Sequence, residues 1–162
     1  MFNQPSLKGR ALRLLGAREH SRAELEYKLQ RFEEEPGSLA RALDDLQAKG
    51  FINEQRVMES VVNRRSGKLG AARIKQELQA KGLDPQAIAL AVAELHTTEQ
   101  TRAQAVWVKK FGTRPQDATD AARQMRFLAT RGFGGEVIRR VVKGNYDDPT
   151  PEFSVPPSHP GV

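Results

Sequence analysis

The sequence contains no cysteine. Disulfides, thiolate nucleophiles and cysteine-ligated metals are excluded together, and a reducing compartment fits. Histidine is nearly as scarce. His20 closes a predicted helix, His96 sits between two repeats, and His159 lies in the C-terminal segment. No pair lies at i, i+4, and no neighbouring carboxylate completes a metal-ligand spacing, so no metal or cofactor is expected. No stretch approaches the roughly 18 apolar residues of a membrane span. The opening Met1-Phe2-Asn3-Gln4-Pro5 lacks a secretory apolar run, so the chain reads as soluble and cytoplasmic. Alternating apolar–polar runs are missing too, and no strand is expected. Ser21, Ser38 and Ser66 fall at helix boundaries, where serine caps rather than attacks. Gly67-Lys68-Leu69-Gly70 lacks the preceding strand of a phosphate loop and reads as a turn. With no nucleophile, base and orienter in one pattern, an enzyme is the least supported class.

What is present is a repeat. Leu29, Leu78 and Leu128 align, followed by Leu39, Ile88 and Ile138, then by Leu43, Val92 and Val142. Lys81-Gly82-Leu83 and Arg131-Gly132-Phe133 stand between the anchors of the second and third copies; the first has Phe32-Glu33-Glu34 there. A fixed period marks stacked units, each too small to bury its own apolar face. The inward stripes should then form one continuous core. We expect an all-α, elongated, curved array of three tandem three-helix repeats over 1–52, 53–96 and 97–145.

Local signals place the helices. Leu7, Ala11, Leu14 and Leu15 make the first stripe, and Ser21 with Glu24 forms a capping box for the next. Ser38 should cap a third helix carrying Leu39, Leu43 and Leu46, which Lys49-Gly50 ends. The second repeat begins near Asn53 with Val57, Met58, Val61 and Val62, continues through Ile74 and Leu78, and restarts at Asp84-Pro85. Thr97-Thr98-Glu99 should open the third, with Ala103, Val106, Trp107 and Phe111 on its stripe. Trp107 is read as core rather than as a base-stacking platform, and Phe133 as an apolar residue packing back on its helix. Asp117 or Thr119 should cap the following helix, and Gly134-Gly135-Glu136 the last. Residues 146–162 are proline-rich and read as a flexible tail.

The net charge of +6 is unevenly spread. Residues 1–59 balance ten basic against ten acidic groups, whereas 60–83 hold six against one and 101–144 ten against three. A localised excess of this kind implies a polyanionic partner. Its members are Arg64, Arg65, Lys68, Arg73, Lys75, Lys109, Lys110, Arg123, Arg126, Arg131, Arg139 and Arg140. Stacked repeats set equivalent helices side by side, so the helices carrying Arg64, Lys68, Arg73, Lys75, Arg123, Arg126 and Arg139 should converge on one face.

Three segments together resemble a known family. Ala11-Leu12-Arg13-Leu14-Leu15 with Arg18-Glu19-His20-Ser21-Arg22-Ala23-Glu24-Leu25 is similar to the opening of RecX-type regulatory proteins. Gly70-Ala71-Ala72-Arg73-Ile74-Lys75-Gln76-Glu77-Leu78-Gln79-Ala80-Lys81-Gly82 resembles their central motif, and Phe127-Leu128-Ala129-Thr130-Arg131-Gly132-Phe133 their C-terminal one. Two departures stand out. Asn53-Glu54 and Val57-Met58 occupy positions where the family often has an acidic pair and Phe-Ala, and the proline-rich tail lies outside the pattern. The resemblance implies a non-enzymatic, monomeric regulator, without cofactor, of the RecA recombinase. It would bind the groove of the RecA filament on single- or double-stranded DNA, inhibiting strand exchange and ATP hydrolysis in recombination, repair and the SOS response. The alternative is a sequence-independent DNA-binding protein without a recombinase partner. A helix-turn-helix transcription factor is a third class, but no helix clusters base-reading Asn, Gln and Arg.

Overall fold

Short polar side chains start most of the helices. The structure, a computed structural model, describes residues 3–144, and the segment 146–162 lies outside them. The described chain is helical throughout: α1 Leu7–Ala17, α2 Arg22–Leu29, a 3-10 turn Gln30–Phe32, α3 Ser38–Ala48, α4 Glu54–Arg65, α5 Ala71–Ala80, α6 Pro85–Lys110, α7 Ala118–Thr130 and α8 Gly135–Lys143. Ser6, Ser21, Asn53, Asp84 and Asp117 each accept a backbone N–H of the first turn they precede. Ser21 and Glu24 complete the capping box. Ser38 does not cap α3. It is the first helical residue, its hydroxyl donates to Glu35 O at 2.7 Å, and Gly37 at φ +87° holds the cap position. At the other ends, Gly50, Gly82 and Gly132 take positive φ. After α7, Phe133 N donates to Leu128 O and Gly132 N to Ala129 O, a Schellman closure that folds Phe133 onto the core.

The anticipated restart at Thr97 is absent. α6 runs unbroken for 26 residues, and the limit between the second and third repeats falls inside it. Thr97 Oγ1 donates to Glu94 O at 2.6 Å and Thr98 Oγ1 to Leu95 O at 3.3 Å. Each hydroxyl is satisfied within the helix, so neither threonine interrupts it. No helix among the described residues is long and apolar enough to cross a membrane.

The core is not continuous either. Ala11, Leu25, Leu29, Leu39, Leu43, Leu46 and Ile52 form one cluster; Val57, Val61, Ile74, Leu78, Ile88 and Leu95 belong to a second; Ala103, Trp107, Leu128, Phe133, Ile138, Val141 and Val142 form a third. The anchors Leu29, Leu78 and Leu128 are buried one in each cluster, on α2, α5 and α7. The clusters stay apart because successive units meet through helix ends, which present N–H and C=O groups rather than apolar side chains.

Two junctions join the units. At the first, the end of α5 abuts the start of α2. Glu24 accepts from Arg18 at 2.7 Å and from Lys81 at 3.0 Å, and Arg56 pairs with Glu19 at 2.9 Å. A Cβ on Gly82 would stand 2.7 Å from the Ala23 Cβ. At the second, the start of α5 abuts the end of α7. Gly70 N donates to Arg131 O at 2.8 Å, Ala72 N to Gly132 O at 3.3 Å, and Ala71 N to the buried Glu99 carboxylate at 3.0 Å. Arg102 ties the preceding turn to α6, donating to Ser66 O at 2.9 Å and Leu69 O at 2.7 Å. The central helices α7, α5 and α2 therefore follow one another end to start.

Two predictions follow from these junctions. A Cβ at Gly70 would lie 2.2 Å from the Gly132 carbonyl oxygen, whereas one at Gly67 meets nothing within 4 Å. Gly70→Ala should cost about 1–3 kcal/mol, as overpacking does, and Gly67→Ala less than about 0.5 kcal/mol, both by urea unfolding. Equal losses would refute the close approach as the reason for glycine at 70. The second concerns Glu24. Its burial raises the carboxyl pKa, but hydrogen bonds from Arg18, Lys81 and the Ser21 amide outweigh this and bring it to about 2. A depressed folded value stabilises above the unfolded pKa, and the stability is lost as pH falls through the folded one. The stability advantage of wild type over Glu24→Gln should be full above about pH 4.5 and vanish by about pH 2. A difference independent of pH would contradict the ion-pair account.

Candidate nucleic-acid interface

Phe127 lies on α7 one position before the core residue Leu128, and so at the edge of the apolar stripe, half-buried. Phe111, at the end of α6, meets it edge-on with centroids 5.4 Å apart. Cations surround the pair. The Arg131 guanidinium lies 4.5 Å from the Phe127 centroid, the Lys110 ammonium 5.5 Å, and Arg123 stands 5.2 Å over Phe111. Each contact is worth about 0.5–1 kcal/mol at an exposed site. The attraction holds the charges near the rings without using their N–H groups, although Arg123 already donates to Asp120.

Two adjoining grooves share Phe127 and Arg131. One, of about 470 Å³, is lined by Arg73, Arg123, Arg126, Phe127, Thr130 and Arg131 together with Leu69. The other, of about 530 Å³, is lined by Lys68, Lys109, Lys110, Phe127 and Arg131 with small apolar neighbours. No carboxylate among the described residues lines either. The second junction explains the convergence. Docking the start of α5 on the end of α7 sets Arg73 beside the last turn of α7, where its guanidinium donates to Thr130 O at 3.1 Å. Lys109 and Lys110 close α6, where cations are favoured by the helix dipole. Arg123 shares its charge with Asp120 at 2.7 Å.

Of the cations singled out in the sequence, Lys68, Arg73, Lys109, Lys110, Arg123, Arg126 and Arg131 come together here. The others do not. Arg64 and Arg65 both turn to Glu77, at 3.2 and 3.1 Å. Lys75 lines a separate groove between α5 and α6. Arg139 and Arg140 sit exposed on α8, and Arg140 pairs with Glu136 at 2.7 Å. Of the seven expected on one face, Lys68, Arg73, Arg123 and Arg126 meet, while Arg64, Lys75 and Arg139 lie elsewhere.

Trp107 is buried in the third core, where its Nε1 donates to Gln124 Oε1 at 2.8 Å while Gln124 Nε2 donates to Thr113 O at 3.1 Å. His20 is buried at the turn between α1 and α2, and its Nδ1 lies 3.0 Å from Arg18 O. Burial first, then the Arg18 and Lys28 charges, push its pKa down, against the hydrogen bond to Arg18 O. Sequence reasoning missed Phe127 as a groove wall with Phe111 packed edge-on against it, Gly70 and Gly132 as a close-approach pair, and Glu99 as a buried tie. The signal for Phe127 was its place next to a core leucine at the edge of the stripe. Glu99 had none, because its amide partner lies 28 residues away.

Three stacked three-helix units bearing a cationic aromatic face define an all-α repeat protein built around surfaces rather than an enclosed pocket. Family models for the first, second and third three-helix domains of RecX match residues 8–46, 53–92 and 97–142. The Regulatory protein RecX of Leptothrix cholodnii is 51% identical over 140 residues, covering 86% of this chain and 89% of that protein. The Regulatory protein RecX of Herminiimonas arsenicoxydans is 43% identical over 145 residues, covering 90% and 96%. The chain belongs to the RecX family of regulatory proteins. The crystal structure of RecX from Lactobacillus salivarius shares the fold at 21% identity, with a TM-score of 0.69 over 85% of this chain and 92% of that one. A second structure, titled as the crystal structure of regulatory protein RecX, gives a TM-score of 0.71 at 19% identity, covering 86% and 72%.

The Arg131 backbone carbonyl holds the second junction, while its side chain faces the grooves. Arg131→Ala should therefore change stability by less than about 1 kcal/mol, the worth of an exposed cation–π contact. It should also lower the salt concentration that elutes the protein from heparin. Unchanged elution would count against these grooves as the polyanion surface.

Proposed function

We propose that this chain is a non-enzymatic modulator of the RecA recombinase that binds the RecA–DNA filament and inhibits strand exchange and ATP hydrolysis. It does so in the cytoplasm, as a monomer, during recombination and DNA repair. The observation that carries the reading is the convergence of seven cations around Phe127 in grooves lined by no carboxylate among the described residues. Such a surface suits the phosphates of single- or double-stranded DNA, and equally the acidic segments of a protein wrapped on DNA. Membership of the RecX family supports the recombinase as the partner.

The mechanism is occupation rather than chemistry. Counterion release upon phosphate contact supplies sequence-independent affinity. Three units in line give length, so one molecule spans successive protomers of a filament and resists their rearrangement. A DNA-binding protein without a recombinase partner shares the basic surface and differs in what it needs: it would act only where it covers DNA.

Titration into RecA on single-stranded DNA, following ATP hydrolysis, separates the two. Inhibition is expected at concentrations that leave naked DNA barely occupied. Reversing Arg73, Arg126 and Arg131 to Glu should abolish it with helicity intact. Lys75→Glu, in the separate groove, should inhibit as wild type does. If the triple variant inhibits normally, the electrostatic mechanism is removed. If inhibition tracks coverage of naked DNA, the recombinase is not the partner.

A further inference from the structure

The first unit holds nine basic and eight acidic residues over 1–52, and five of those acids are drawn into ion pairs, while Glu34 and Glu35 stand exposed without one among the described residues. Glu24 pairs with Arg18 and Lys81, Glu19 with Arg56, Asp44 and Glu26 with Arg22, and Asp45 with Lys8 and Lys49. Glu33 accepts from the Gly37 amide. Four unpaired cations gather in a groove of about 650 Å³ between α1 and the α2–3-10 segment, lined by Arg10, Arg13, Tyr27, Lys28, Arg31 and Phe32 and by no carboxylate among the described residues. Arg10 and Arg13, three apart, share a face of α1. None of the four cations forms an ion pair within 4.0 Å among the described residues. Lys28 Nζ lies 3.0 Å from His20 Nε2 and Arg10 donates to Gln4 Oε1 at 2.9 Å, whereas Arg13 and Arg31 have no side-chain hydrogen bond among the described residues. Arg10 lies 3.7 Å and Arg31 4.7 Å from the Phe32 centroid, so their planes are held by the ring. Tyr27 is 78% exposed.

We propose that this groove is a second nucleic-acid site, which takes single-stranded DNA or RNA by stacking bases on Tyr27 and the guanidinium planes and pairing phosphates with Arg13, Lys28 and Arg31. It shares no residue with the Phe127 surface and does not depend on it. Flat aromatic and guanidinium faces recognise unpaired bases. An acidic peptide has no such face to offer, and duplex bases are stacked on one another and present none. The charge is hidden in the sequence because most of the acids that balance it are near in the chain but paired elsewhere in space.

The test is a Tyr27→Trp variant titrated with oligo(dT). The introduced tryptophan should be quenched, while Trp107, only 4% exposed, contributes a constant background. Adding Arg13→Glu and Arg31→Glu should weaken binding about tenfold or more and cut the salt slope of log K by about 1.4, two phosphates at ~0.7 each. Circular dichroism checks that the helices persist. Adding Arg123→Glu, Arg126→Glu and Arg131→Glu instead should leave the quenching in place, so failure of the Phe127 surface reads out separately. No quenching, quenching indifferent to the Arg13 and Arg31 reversals, or equal quenching by duplex DNA would each overturn the proposal. Stronger competition by poly-glutamate than by oligo(dT) would overturn it in favour of an acidic protein partner.

Discussion

The backbone contact between Gly70 and the end of α7 carries the arrangement on which the rest depends. α5 has no capping side chain, and its first N–H groups would be unpaired without outside acceptors. Arg131 O, Gly132 O and the Glu99 carboxylate supply them. The end of one helix, rich in carbonyls, meets the start of another, rich in amides, so the two dipoles reinforce each other. The approach is close enough that neither partner tolerates a Cβ: at Gly132 it would fall 2.3 Å from Arg73 Cγ, and φ there is +88°. The buried carboxylate lies at the positive end of α5, where an anion is favoured.

Joining units by their ends has two consequences. Each unit keeps its own core, so a cavity in one is felt mainly there, and the units communicate through a few polar contacts and the shared helix α6. The surface is also decided by the join. Arg73 belongs to the second unit and Arg123, Arg126 and Arg131 to the third, and they face one groove because α5 starts where α7 stops. Charge in the first unit is sorted in the same way: its acids are drawn to the junction with α5 and to α3, and its remaining cations are left along α1 and the 3-10 turn.

Much of this was legible in the chain. Capping by Ser21, Asn53, Asp84 and Asp117 depends on residues three apart, and the closures at Gly82 and Gly132 on neighbours. Such local chemistry reads directly. Ser38 failed as a cap because Gly37 already turned the chain, and a hydroxyl inside the first turn found Glu35 O instead. The break expected at Thr97 did not form: the Thr97 and Thr98 hydroxyls donate to Glu94 O and Leu95 O of the preceding turn, and the backbone of α6 runs on unbroken. The basic surface was legible as a set of residues but not as a place. Glu77 withdrew Arg64 and Arg65 from it, and Phe127, first read as part of a motif, became its wall.

The sequence by itself determined the helices, their ends, the anchors Leu29, Leu78 and Leu128, and the family, because periodicity, caps and motifs act over a few residues or repeat at a fixed spacing. Only the tertiary structure decided that the cores are separate, that Glu99 is buried against an amide 28 residues away, and which cations are free. Whether a charge is available depends on which opposite charge reaches it in space. Composition counts both without pairing them: residues 1–59 balance to zero on paper and still leave Arg10, Arg13, Lys28 and Arg31 together beside an exposed tyrosine.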